Sequence, residues 1–400
     1  MSKKIVVSGT GCALADYLYT GVRFNSPLFI KYLSHEAGDG GLAPGRLVFT
    51  EELEKFSGVP YSEIHNELTG GASPEAVNIG GPGLVSLINA AQLLPQEDFE
   101  VRFYGGTGRD ETAEFIEQLV IKTPLNIDHY HRISEKRTPF TDVLSDPTYD
   151  NNHGERTFIN NIGAAWDYTP ELLGDDFFES DIVCFGGTAL VPQIHDNLTT
   201  LLKRAKEKGC LTVVNTVFDF RNEKKNPGQP WPLVDNPESY SYIDMLIMDC
   251  EESLNISGQK TIEQAAQYFV SQNVTTLVIT NGAQEFYTFS NGKLFEKSGL
   301  QKLPVSQRVN EDFKHNPAAK GDTTGCGDNF AGGIISSLAR QLKTGEPGKL
   351  DLTEALAWGV ASGGFACYYV GGTYIEHEEG EKHKIVEIFK YQYIQQISAK

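Results

Sequence analysis

Four short apolar runs, at residues 182–185, 211–214, 245–248 and 276–279, beat through the second half of the chain, with helical periodicity between them. One intervening segment sets Leu198, Leu201, Leu202 and Ala205 on a single face, and another does the same with Ile262, Ala265, Ala266 and Phe269. Runs without polar alternation belong to strands buried on both faces. Strands that alternate with helices imply βαβ units, hence a parallel sheet with helices on both sides and ligands outside the carboxyl ends of the strands. The expectation is a three-layer α/β fold with a mostly parallel sheet. A chain of 400 residues that is 40% apolar can fill one such domain, 1–400, with insertions.

The amino terminus fits this frame. Ile5 to Val7 is a β-branched run feeding a loop that holds Gly9, Gly11 and Asp16. Lys3 and Lys4 ahead of it, with Ala13 and Ala15 beyond, imitate a secretory leader, but the run is short and broken by glycines, so a buried strand is the better reading. No stretch approaches the roughly 18 continuous apolar residues of a membrane helix. The net charge of −19 leaves no basic face for nucleic acid or an anionic membrane. Six cysteines lie far apart without C-x-x-C or Cys/His ligand spacing, as expected of reduced thiols in the cytoplasm.

Chemistry concentrates between Lys320 and Leu338, where a glycine-rich turn becomes an apolar-periodic helix. Gly325 and Gly327 let successive N–H groups point at one spot, with the positive end of the helix dipole behind them, and such a place binds anions. Asp328 beside an anion cradle is unfavourable unless it has a proton to take, a combination that suits phosphoryl transfer to a hydroxyl.

The run Asp322-Thr323-Thr324-Gly325-Cys326-Gly327-Asp328 resembles the DTxGAGD signature of the ribokinase (PfkB) family of carbohydrate kinases, with Cys326 for the usual Ala. The resemblance implies that Asp328 is the general base and that the Gly325, Cys326 and Gly327 amides form the anion hole. It further implies substrate contacts from Asp16 and from Gly80 and Gly81, although Val85 stands where the family has a polar Asn. Nucleotide contacts fall to Thr280, Gly282, Thr323 and Thr324, Mg²⁺ is held through water by Asp249 and Glu252, and Asp322 borders a possible K⁺ site. From the residues alone, Asp249 and Glu252 equally suit an acidic helix cap and first turn.

The family also carries a small β-rich lid, expected here in the insertions 17–72 and 128–162, through which a homodimer could form. The implied activity is ATP-dependent phosphorylation of a sugar or sugar acid. A nucleoside kinase of the same fold and a non-catalytic sugar or nucleotide sensor are the alternatives. An NAD(P)-dependent dehydrogenase fails on the missing third glycine near Gly9. Gly332 and Gly333 inside the helix suggest close packing, and 385–397 fits helix and strand equally.

Overall fold

A computed structural model describes residues 3–36, 38–321, 323–345 and 348–399. In chain order its strands are β1 (Ile5–Gly11), β2 (Leu14–Thr20), β3 (Leu47–Phe49), β4 (Ala76–Gly80), β5 (Phe99–Thr107), β6 (Asn126–Arg132), β7 (Phe140–Asp146), β8 (Glu155–Asn161), β9 (Ile182–Gly186), β10 (Leu211–Asn215), β11 (Met245–Asp249), β12 (Thr276–Thr280), β13 (Phe286–Ser290) and β14 (Ser298–Leu303). Among the described residues nine of these form a large sheet, ordered β14-β13-β12-β11-β10-β9-β1-β5-β6, and five form a small one, ordered β3-β8-β7-β2-β4.

Every neighbouring pair from β6 across to β12 is parallel, and only the β12–β13 and β13–β14 pairs are antiparallel. The unalternating runs explain the layering. Both β9 and β10 are buried at every position. Ile182 and Cys184 point into a core shared with the helices Pro82–Leu93 and Cys326–Thr344, while Val183 and Phe185 point into one shared with Leu198–Glu207 and Ile262–Ser271. Gly332 and Gly333 do permit close packing: a Cβ on Gly332 would lie 2.3 Å from the Ser86 carbonyl oxygen, and one on Gly333 would lie 2.3 Å from that of Trp358. Each glycine costs the helix about 1 kcal/mol relative to Ala, a loss offset by contact with two neighbouring helices.

The insertions depart from the expectation. Among the described residues of 17–72, the helices Pro27–Lys31, Thr50–Ser57 and Tyr61–Thr69 outweigh the strands, which are the end of β2 and the three-residue β3. Tyr61, Ile64 and Leu68 repeat at helical spacing and are buried, but Gly58 and Gly70, in left-handed conformations, end the helices so early that the period is hard to see. In the second segment, 128–162, β7 and β8 join the small sheet, whereas β6 pairs with β5 in the large one. As an edge strand, β6 buries Tyr130 and exposes its polar residues, which makes it look like a solvated hairpin. Asp16 lies inside β2 of the small sheet, not in a loop. The segment 385–397 is helical, within Glu381–Ser398.

Candidate active site

Gly325 caps the Cys326–Thr344 helix in a left-handed conformation at φ 71°, and its missing Cβ would lie 2.5 Å from Gly372 Cα. Both the dihedral and the contact demand glycine there. The first N–H groups of a helix have no carbonyl within it to bond, and the Cys326 N–H makes a long 3.3 Å contact with the Thr323 carbonyl. Gly327 is exposed, with nothing within 4 Å of where its Cβ would stand. The turn therefore offers donors and open space together. Thr323 is exposed and Thr324 half-buried on the approach to this turn; Asp322, assigned to a K⁺ site, lies outside the described residues.

Asp328 occupies the first turn of the same helix, where burial pushes its carboxyl up to about 7. Its negative charge reaches two groups on other elements. Burial first, then the charges of Asp16 and Asp328, raises the Cys12 thiol. Burial first, then Asp249 and, less strongly, Asp328, raises Glu252 to about 8. Asp16 on β2, Asp328, and Glu252 beyond β11 thus face one region.

Asp249 and Glu252 form a capping box on the helix Cys250–Ser257: the Glu252 N–H donates to Asp249 Oδ1 at 2.8 Å, and the Asp249 N–H donates to Glu252 Oε2 at 3.0 Å. The Thr216 hydroxyl adds a third bond to Glu252 Oε2, at 2.6 Å. The helix-start reading of these two acids is therefore present in full. Among the described residues no three His, Cys, Asp or Glu side chains are arranged to ligate a metal directly. Burial raises both carboxyls, and the charge of Asp249 raises Glu252 further; such a pair nevertheless fits a hydrated divalent cation held through water. Thr280 lies beside Asp249 in the β11–β12 register, and Gly282 follows at φ 56° with open space around it.

On the other side of Asp328, Gly80 opposes Leu14 in the β2–β4 ladder, and a Cβ on it would meet Asp16 Oδ2 at 2.2 Å. Gly81, at φ 95°, brings its backbone against the Cys12 carbonyl, 2.5 Å from where its Cβ would stand. These glycines make room for Asp16 and for the passage between the sheets rather than for phosphate. Beside them is a cavity lined by Leu14, Phe103, Tyr130, Asn160, Tyr168 and Leu190, among others.

Several residues at the site carried no signal in the sequence. Asn329 donates from Nδ2 to the carbonyls of Gly325 at 2.9 Å and Gly372 at 2.8 Å, and so pins the glycine turn. Its Oδ1 accepts from the fully buried Lys382 ammonium at 2.9 Å, which also donates to Gln92 Oε1 at 3.0 Å. Burial pushes that ammonium down to about 7, against the pull of Glu376. Asn215, at the carboxyl end of β10, keeps its buried Oδ1 without a hydrogen-bond partner among the described residues.

Among known proteins, adenosine kinase from Schistosoma mansoni in complex with 2-fluoroadenosine matches at TM-score 0.65 and 17% identity, over 92% of this chain and 96% of that one. Ribokinase from Arabidopsis thaliana complexed with ribose and ATP matches at TM-score 0.60 and 16% identity, over 97% of this chain and 99% of that one. The fold is thus ribokinase-like. A curated ribokinase from Staphylococcus aureus (strain COL) is 26% identical over 267 residues, 65% of this chain and 74% of its own length. The family profile described as pfkB family carbohydrate kinase matches residues 60–378, and the chain belongs to that family of ATP-dependent kinases.

Proposed function

We propose that the protein transfers the γ-phosphoryl group of ATP to a hydroxyl of a sugar or sugar acid, with Asp328 as general base and the Gly325, Cys326 and Gly327 amides bearing the developing charge. The observation that carries this reading is a carboxyl raised to about 7 in the first turn of a glycine-capped helix. A base in that range is substantially deprotonated at neutral pH and still strong enough to take the acceptor's proton. The hydroxyl oxygen attacks the γ-phosphorus, the bond to the bridging oxygen breaks, and ADP leaves. Bound Mg²⁺ would neutralise phosphate charge, and Asp249 and Glu252 would hold it through its waters. Thr280, Gly282, Thr323 and Thr324 are assigned to the nucleotide and Asp16, with Gly80 and Gly81, to the acceptor. The small sheet acts as the lid. Six cysteines that all remain thiols suit a cytosolic enzyme, and exposed Leu28 and Ile30 would be covered in a homodimer through the lid insertion.

A second reading, nucleoside phosphorylation, is supported by one observation: an adenosine kinase in complex with 2-fluoroadenosine matches the fold over 92% of this chain. An ADP-release panel of ketoses, aldoses, 2-keto-3-deoxy sugar acids and nucleosides, run on wild type and Asp16→Ala, separates the two. The sugar reading expects turnover with a sugar or sugar acid and a loss of at least ~10²-fold in Asp16→Ala, because a site built to bond hydroxyls suffers when its partner group is removed. Turnover confined to nucleosides overturns the sugar reading. No turnover with any acceptor points to a sensor.

A further inference from the structure

The Sγ atoms of Cys326 and Cys367 lie 3.2 Å apart. They are 41 positions apart in sequence, both are half-buried thiols, and no other function has been assigned to the pairing. Cys326 opens the Cys326–Thr344 helix and lends its N–H to the proposed anion hole; Cys367 ends the helix Leu352–Ala366. Negative charge is favoured at a helix start, where the thiolate is the reactive form of cysteine. The segment after Cys367 is also the floor of the glycine turn. The Gly321 N–H donates to the Cys367 carbonyl at 2.9 Å, and Gly325 sits against Gly372.

We propose that Cys326 and Cys367 form a reversible disulfide that switches the site off. The inference rests on the kinase reading in so far as the effect is on phosphoryl transfer. The oxidant is a small-molecule disulfide such as glutathione disulfide. The Cys326 thiolate attacks one of its sulfurs, the glutathione S–S bond breaks, and one glutathione thiolate leaves. The Cys367 thiolate then attacks the Cys326 sulfur of the mixed disulfide, the internal S–S bond forms, and the second glutathione leaves. Two electrons and two protons pass from the protein's thiols to the two glutathiones, and a dithiol reverses the step. Bond formation must bring the sulfurs from 3.2 Å to about 2.05 Å. That movement pulls the Cys326 amide towards the end of the neighbouring helix, and displacement by about 1 Å at a reacting centre costs on the order of 10²-fold.

The test equilibrates the full chain across ratios of glutathione to glutathione disulfide, wild type beside Cys367→Ser. A Cys326–Cys367 linked peptide is read by mass spectrometry, the phosphate cradle by ATP-dependent thermal stabilisation, and turnover with the best acceptor by ADP release. The expected result is a linked peptide with at least a tenfold loss of turnover and weakened ATP stabilisation, reversed by a dithiol. Cys367→Ser should keep its activity at the ratios that silence wild type, since without an internal second thiol only the weaker mixed disulfide forms. Absence of the linked peptide at every ratio overturns the proposal. So does a linked peptide that changes neither ATP stabilisation nor turnover, or an equal loss in Cys367→Ser. The peptide and the ATP-binding readout do not require an acceptor, so a wrong kinase assignment gives a different outcome from a wrong disulfide.

Discussion

Replacing Asp328 by Asn should abolish turnover and at the same time make the protein more stable. Burial holds the Asp328 carboxyl at about 7 against an ordinary 3.8, which at 1.36 kcal/mol per factor of ten corresponds to roughly 4 kcal/mol of strain on the charged form. The residue is partly open to solvent, and screening brings a realistic figure to about 1–2 kcal/mol. The sign follows from linkage: the folded state holds this proton more tightly than the unfolded one. The penalty is therefore absent below pH 4, grows as pH rises, and is complete above about 7. Asn carries no such penalty. For a chain of this length an unfolding entropy near 0.8 kcal/mol/K turns the gain into about 1–2 °C at pH 8 and nothing at pH 4. Turnover should fall by ~10²- to 10⁴-fold, and wild-type kcat/KM should rise about tenfold from pH 6 to pH 8 as the base deprotonates. Scanning calorimetry at the two pH values and initial rates across the range measure all three. Near-wild-type kcat in Asp328→Asn would refute the base, and a lower melting temperature at pH 8 would refute the desolvation of the carboxylate.

Glu252→Gln should shift the Mg²⁺ titration of activity to about 10- to 100-fold higher concentration, the usual effect of losing a group that orients a metal's surroundings; an unchanged titration would leave Glu252 with its capping role alone. Lys382→Met should lower kcat by roughly 10- to 100-fold with KM for ATP nearly unchanged, because the ammonium acts through Asn329 on the glycine turn. Its melting temperature should hold, since removing a buried charge also removes a desolvation cost; a lower melting temperature with intact kcat would make Lys382 merely structural.

The parallel sheet was legible because each buried strand is a contiguous apolar run, and the glycine turn because its seven residues are adjacent in sequence. Distance along the chain hid the rest. Lys382 reaches Asn329 across 53 positions, and within Glu381-Lys382-His383-Lys384 it reads as part of a solvated helix start, although its side chain is fully buried. Cys367 gains meaning only once two helices bring its sulfur to Cys326. The insertion 17–72 was misread because helices of 5, 8 and 9 residues show too few turns for their period to stand out from glycine and charge. Asp249 and Glu252 close a helix capping box, and the proposed hold on a metal's waters would use the same carboxylates.

The two sheets are joined by little chain at the site. β1 leaves the large sheet at Gly11 and β2 enters the small one at Leu14, while β4 returns through the single residue Gly81 to the helix that starts at Pro82. Both passages meet where Gly81 touches the Cys12 carbonyl. Tethers this short have no slack and hold the two sheets together at Cys12 and Gly81. Asp16 lies four residues beyond Cys12, within about 13 Å of it at ~3.3 Å per residue of strand, whereas β3 lies at the far edge of the small sheet. A rotation of the small sheet about these tethers would therefore displace Asp16, the proposed acceptor ligand, less than it displaces β3.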